Sequence, residues 1–200
     1  MKKSFEILPL FSSPLAMTTI EEDTNELFNY SEFKDRKSTA DKRVLERYPK
    51  TKNILFNKFK EYNEKVLKYN NDFVIATSWI TNIVEGQGAN AHTHKNTLYS
   101  GLYYFQDEYP EGSASIVFFS PIAQLMDYMI IPNECDCEIL NSHTWFIKPQ
   151  PKLLLFFPSY LHHAINVQKT SKTRRSLAFN ISPIGEYGVG DSTFNTSWLL

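Results

Sequence analysis

From residue 72 to residue 182 the chain is cut into short β-branched and aromatic runs by Gly, Pro and polar turns, and no other feature limits the fold so tightly. The runs are DFVIATSWITNIVEG from residue 72, LYSGLYYF at 98–105, ASIVFFS at 114–120, HTWFIKP at 143–149, KLLLFF at 152–157, HHAINV at 162–167 and RRSLAFNIS at 174–182. Gly86 and Gly88, the turn DEYPEGS, Pro149 with Pro151, Pro158-Ser159 and the turn QKTSKT separate them, while residues 121–141 read as irregular. KLLLFF is apolar enough to be buried on both faces. At least seven strands at such short spacing predict a β-sandwich or jelly roll.

The first third reads differently. Residues 5–17 look like an opening strand broken by Pro9 and Pro14, and residues 20–49 are polar, with Thr18, Thr19 and Asp23 as caps for one or two short helices. Thr51 or Asn53 caps a clearer helix, in which Leu55, Phe59, Tyr62 and Val66 share one face and Asn70-Asn71 stop the run. Helices first and strands after predict a mainly β, α+β fold with helices buttressing one sheet. The expected organisation is one domain over 1–200: helical support at about 18–70, a β core at about 72–182 and a tail at 183–200 without pattern. An aromatic share of 14% suits such a fold, because rings pack well on pleated surfaces.

Charge and hydropathy narrow the partners. A net charge of −1 gives no global field for nucleic acid or anionic lipid. No run approaches the roughly 20 apolar residues of a membrane span. The opening MKKSFEILPLFSSPLAM has only a broken apolar stretch, so no secretory leader is expected. A cytoplasmic protein acting on a small molecule or a protein side chain is expected, and a homodimer is compatible with this sequence. The cysteines, Cys135 and Cys137, stand among acids in ECDCE, which raises thiol pKa values and points to plain reduced thiols.

The chemistry concentrates on histidines. His92, His94, His143, His162 and His163 all lie in the β half. In an extended segment His92 and His94 point to the same side, so both imidazoles can reach one metal ion. His163 opens a late strand, and its neighbour His162 must face the other way. Across a short turn, Arg174 returns beside that strand with Ser176 on the same face, while Arg175 points outward. A non-haem Fe(II) oxygenase needs ligands on one face of the ion and open positions opposite. A 2-oxo acid such as 2-oxoglutarate would chelate that ion, and its far carboxylate needs a planar, bidentate cation, the role of an arginine. Tyr103 is the aromatic expected to touch the cosubstrate. Asn96 and Tyr99 are candidates to touch substrate or the groups behind the ligands, and Trp145 is a further candidate for the pocket wall. His143 reads as a satisfied strand histidine.

These residues also resemble a known family. His92-x-His94, Asn96 and Tyr99-Ser100-Gly101-Leu102-Tyr103-Tyr104 resemble the HxH-x-N…SG-x-YY signature of 2OG-Fe(II) oxygenases of phages and marine bacteria. Phe157-Pro158-Ser159-Tyr160-Leu161-His162-His163 is similar to that family's FPSW-x-x-H segment, and Arg174-x-Ser176-Leu177-Ala178-Phe179-Asn180 to its R-x-S-x-x-FN segment. Leu10-Phe11-x-x-Pro14 resembles its opening, so the likeness spans about residues 7–182, with a more distant similarity to the HxD…H…R prolyl hydroxylases. The resemblance implies a double-stranded β-helix with Fe(II), 2-oxoglutarate and O2 at the barrel mouth. It carries His92 and His163 over as iron ligands, and Arg174 and Ser176 as the cosubstrate grip. For a phage-encoded chain the compartment would be the host cytoplasm.

At one place the chain departs from the wider superfamily. The usual third ligand is Asp or Glu, where this sequence has His94. Either His94 completes the set, the favoured reading, or a carboxylate such as Asp107, Asp127 or Glu138 comes from elsewhere. Two rival functions remain open at this point: a cupin-like three-histidine dioxygenase that needs no 2-oxoglutarate, and a non-enzymatic jelly roll that binds carbohydrate or belongs to a virion.

Overall fold

The computed structural model describes residues 8–9, 11–30, 38–122, 139 and 142–199. Two antiparallel sheets face each other. One has the order β1 (Ala16–Thr19), β7 (Leu153–Pro158), β4 (Tyr99–Tyr103), β9 (Arg174–Ile184) and β2 (Asp72–Ile83). The other has the order β3 (Ala89–His92), β8 (His163–Ile165), β5 (Ile116–Phe119) and β6 (Thr144–Ile147). From β3 to β9 the chain repeatedly crosses between the sheets, as a double-stranded β-helix does. The expected mainly β architecture is the observed one.

Strand alternation divides the larger sheet into two faces. Tyr99, Tyr103, Leu154, Phe156, Leu177, Phe179 and Ile181 pack against the helical segment, together with Leu55 and Phe59. Leu102, Leu155 and Phe157 face the other way and pack between the sheets with Ile116, Phe118 and Ile147. On β9 the residues out of phase with the helix-side set are Arg174, Ser176, Ala178 and Asn180, and Ala178 packs on the inter-sheet cluster. Thus Arg174, Ser176 and Asn180 share the face that looks across at the smaller sheet, while Arg175 reaches the Tyr30 carbonyl on the helix side.

Helix α1 (Pro49–Tyr62) lies on the outer face and buries Leu55 and Phe59 completely. The Phe59 ring meets Phe73, Phe156 and Tyr99 at centroid distances of 5.2, 5.5 and 5.7 Å. Burying one such ring stabilises the fold by roughly 1.5–3 kcal/mol. The helix starts earlier than Thr51 or Asn53, because Pro49 suits the first helical position. Thr51 is buried instead, and the Glu26 carboxylate accepts from both its backbone N–H and its hydroxyl, at 3.0 and 2.5 Å. Glu26 sits on a short 3-10 turn (Asn25–Asn29), one of two such turns where short helices were expected; the other is Val44–Arg47. The stop also falls earlier than Asn70-Asn71. The helix runs into a π turn (Asn63–Leu67), Lys68 takes a left-handed conformation, and Val66 is 57% exposed rather than on the packed face.

Three further expectations need adjusting. The opening strand begins at Ala16, since residues 11–15 form no strand and residues 5–7 and 10 lie outside the described residues. The tail carries a small hairpin, β10 (Glu186–Tyr187) with β11 (Phe194–Asn195), and β6 leaves Trp145 42% exposed. Cys135 and Cys137 lie outside the described residues. Among the described residues, no helix is long and apolar enough to cross a membrane.

One close approach is specific enough to test. Gly101 pairs with Phe179 across β4 and β9, and an added Cβ would stand 2.2 Å from that ring. Phe179 is fully buried and cannot yield. Gly101→Ala should lower unfolding free energy by about 1–3 kcal/mol in denaturant titration, as overpacking a tight core does.

Candidate active site

The register of the smaller sheet brings the histidines together. On β3 and β8, His92 stands directly opposite His163, with a bulge between Ala89 and His92 setting that alignment. Their ring centroids are 4.4 Å apart. His94 lies just past the end of β3 and completes a triangle, at 5.3 Å from His92 and 5.2 Å from His163. One ring nitrogen from each lies within 4.8 Å of the other two, so small rotations set all three around one ion.

Hydrogen bonds fix which nitrogen each histidine offers. His92 Nδ1 lies 2.8 Å from the Asn90 carbonyl, and His163 Nδ1 lies 2.9 Å from the Leu161 carbonyl. A carbonyl only accepts, so both Nδ1 atoms carry the proton and both Nε2 lone pairs are free. His94 Nδ1 lies 2.8 Å from Asn180 Oδ1, with the same consequence. Three Nε2 donors with their Nδ1–H groups already satisfied are the state in which imidazoles ligate a metal.

The larger sheet holds the loop that carries His94. The His94 N–H donates to the Ser159 carbonyl at 2.9 Å, and the Ser159 N–H donates to the Leu98 carbonyl at 3.0 Å. The Trp79 ring flanks His94 at 5.6 Å, with Lys42 Nζ 5.6 Å from the centre of that ring. Phe157 and Phe118 wall His163 at 4.9 and 6.1 Å. Burial in that apolar setting pushes His163 down to about 4, and burial lowers His94 as well. Both imidazoles are therefore neutral at physiological pH, as ligation requires.

Arg174 gives the second element. It is 1% exposed, its Nη1 donates to Ser176 Oγ at 3.1 Å, and its Nη2 donates to Tyr104 Oη at 3.0 Å. Ser176 Oγ is in turn 2.8 Å from Thr81 Oγ1. Arg174 Nε is buried without a partner, and among the described residues no carboxylate pairs with this guanidinium. A buried cation held only by neutral hydroxyls fits a site built for an incoming carboxylate.

The tyrosines expected at the site lie elsewhere. Tyr103 is on the helix side of β4, where its hydroxyl meets Thr24 Oγ1 at 2.7 Å. Tyr99 packs on the same side, 5.7 Å from Phe59. Alternation puts Tyr104 on the inner face instead, with its ring centre 4.9 Å from the Arg174 guanidinium. Asn96 is exposed in the turn after His94, and His162 is exposed while His163 is buried. His143 is half-buried and outside the cluster. Asp107 is exposed and also outside it, while Asp127 and Glu138 lie beyond the described residues. An open cavity of about 530 Å3 adjoins the cluster through His94, bordered by Lys95, Leu98, Tyr160 and His162.

Residues 77–180, just over half of the chain, match the family described as "Putative 2OG-Fe(II) oxygenase". The chain belongs to this family. The cofactors of such an oxygenase are Fe(II) and 2-oxoglutarate. No curated protein matches the oxygenase in sequence. Among solved structures it is similar to HygX from Streptomyces hygroscopicus with nickel and 2-oxoglutarate bound, at 9% identity, 86% coverage of this chain and 82% of HygX, with a TM-score of 0.58. It is also similar to a prolyl-4-hydroxylase of Pseudomonas putida, at 13% identity, covering 62% and 58% of the two chains with a TM-score of 0.43. A 2OG-Fe(II) oxygenase family protein of Burkholderia pseudomallei aligns at 11% identity and a TM-score of 0.41, over 57% of this chain. The oxygenase spans less than half of that protein, 47% of its length.

The lowered His163 has a consequence for the metal-free protein. An unfolded histidine takes up its proton near pH 6.5, whereas the folded one resists until about pH 4. The unfolded state therefore binds more protons in that window, and stability falls as pH drops through it. Metal-free protein should lose up to about 3 kcal/mol of unfolding free energy between those values, measured by denaturant titration at each pH. His163→Gln should flatten the slope, and an unchanged slope would mean that another group sets it.

Proposed function

We propose that the chain is a single-domain Fe(II)- and 2-oxoglutarate-dependent oxygenase in which His92, His94 and His163 hold iron. Arg174 and Ser176 bind the far carboxylate of 2-oxoglutarate. When bound, iron and cosubstrate supply the oxidising chemistry: 2-oxoglutarate is decarboxylated to succinate and CO2, and one oxygen atom of O2 hydroxylates the substrate. The observation that carries this reading is the pairing of three free Nε2 atoms with a buried, anion-free arginine on the facing sheet.

The protein's own part is positional. His92 and His163 are fixed by backbone carbonyls, so their lone pairs are aimed before any ligand arrives. Tyr104 and Ser176 hold the guanidinium in one orientation, which suits a planar carboxylate. Phe118 and Phe157 keep water from one side of His163. HygX, with which the chain shares its fold, was solved with 2-oxoglutarate and also with iron, which fits the same reading. Three histidines alone would suit a cupin-like dioxygenase equally well, but that reading leaves Arg174 without a ligand. The substrate is a small molecule or a protein side chain that reaches the ligands through the cavity beside His94.

Anaerobic addition of Fe(II) and 2-oxoglutarate should produce the weak visible charge-transfer band of the chelate. His163→Ala should abolish it. Arg174→Ala should raise the 2-oxoglutarate concentration for half-saturation roughly 10–100-fold, the loss of a charged hydrogen-bond pair. Oxygen consumption should yield succinate in step. Oxygen uptake without succinate would transfer the chain to the cupin-like class, and a band indifferent to both substitutions would refute the assigned site.

A further inference from the structure

His94 differs from the other two histidines in how it is held. His92 and His163 lean on backbone carbonyls two residues away, Asn90 and Leu161, whereas His94 leans on a side chain from the opposite sheet. That side chain is Asn180, 6% exposed on the inner face of β9. Its Oδ1 accepts from His94 Nδ1 at 2.8 Å and from Ser100 Oγ at 3.1 Å. Ser100 stands opposite Asn180 in the β4–β9 register, 3.0 Å from His94 Nδ1 and 2.9 Å from Ser159 Oγ. Ser159 is fully buried, and its backbone clamps the His94 loop. If Ser159 donates to Ser100, the Ser100 hydroxyl is turned to Asn180, and the amide oxygen accepts from both His94 and Ser100.

Resting on the three-histidine reading above, we infer that Asn180 is the positioning residue for the third ligand: it fixes the orientation and tautomer of His94 and ties the metal centre to the cosubstrate strand. Asn180 shares its inner face on β9 with Ser176 and Arg174. At about 3.3 Å per residue, Ser176 and Asn180 are roughly 13 Å apart along that strand. One rigid element therefore sets both the cosubstrate grip and the angle of the ligand that takes the usual carboxylate's place. The amide also adds no charge. A carboxylate in its place would push electron density through the imidazole toward the ion, whereas the amide leaves the ion's charge available to an anionic cosubstrate.

The test uses the full chain, stripped of metal and kept free of oxygen, with Co(II) as the probe read by its visible ligand-field bands. Asn180→Ala should lose about 10–100-fold in Co(II) affinity, the usual cost of removing a group that orients a ligand, and should change the band shape. Asn180→Asp, which keeps an acceptor oxygen and nearly the same volume, should restore affinity to at least the wild-type level while shifting the bands. Equal affinities and superimposable spectra, with any loss confined to thermal stability, would overturn the inference. If the Ala variant does not fold, the Asp variant decides alone, because an unshifted spectrum overturns the inference and a shifted one supports it. Failure of the wild type to bind Co(II) stoichiometrically, with His163→Ala no different, would instead overturn the three-histidine reading and this inference with it.

Discussion

The alignment of His92 with His163 across β3 and β8 is the constraint on which the site depends. Two strands distant in sequence bring two imidazoles together only because this register sets them face to face, and the bulge after Ala89 goes with that register. Everything added later presupposes it. His94 can join the pair only from the loop that follows, and that loop is held by Ser159 and Leu98 rather than by the sheet that carries the other two. The three-histidine cluster is thus a joint between two sheets, with polar groups of the larger one reaching across.

Apolar packing makes this joint rigid. The helix-side face of the larger sheet is filled by Phe59, Phe156, Phe179 and Tyr99, which leaves its inner face free to carry polar residues. Buried polar groups are tolerated only when they are hydrogen-bonded, and Ser100, Ser159, Ser176 and Asn180 all are. The partnerless Arg174 Nε stands out against that background. Thr77 Oγ1, opposite Asn180 on the same face, is orphaned too, but Arg174 brings a buried charge, and a buried charge is the group that calls for a counter-ion.

Much of this was legible in the sequence, for physical reasons. Short β-rich runs with turn residues between them give the sandwich, and the period of two within a run places His92 with His94 and Arg174 with Ser176. The same rule, applied from Arg174 along RRSLAFNIS, points to Asn180, and the neighbouring motif already contained Ser100 and Ser159. What alternation cannot supply is which face of a second strand meets the first. The sequence favours Tyr103 as the cosubstrate contact, but Tyr103 faces the helix and its neighbour Tyr104 faces the arginine. Helix limits failed for a similar reason. Thr51 has the right side chain for a cap, but Glu26 from another segment took over that role.

Concentrating so much on β9 makes the enzyme brittle in one direction. A slip of this strand by a single residue would turn Arg174, Ser176 and Asn180 together toward the helix and bring Arg175, Leu177 and Phe179 inside. Deletions or insertions within 174–180 should therefore act as a switch, removing the proposed cosubstrate grip and the support of His94 in one stroke rather than by degrees. The turn that precedes the strand exposes Lys169, Ser171 and Lys172, so length changes there should spare the pairing of β9 with β2 and β4.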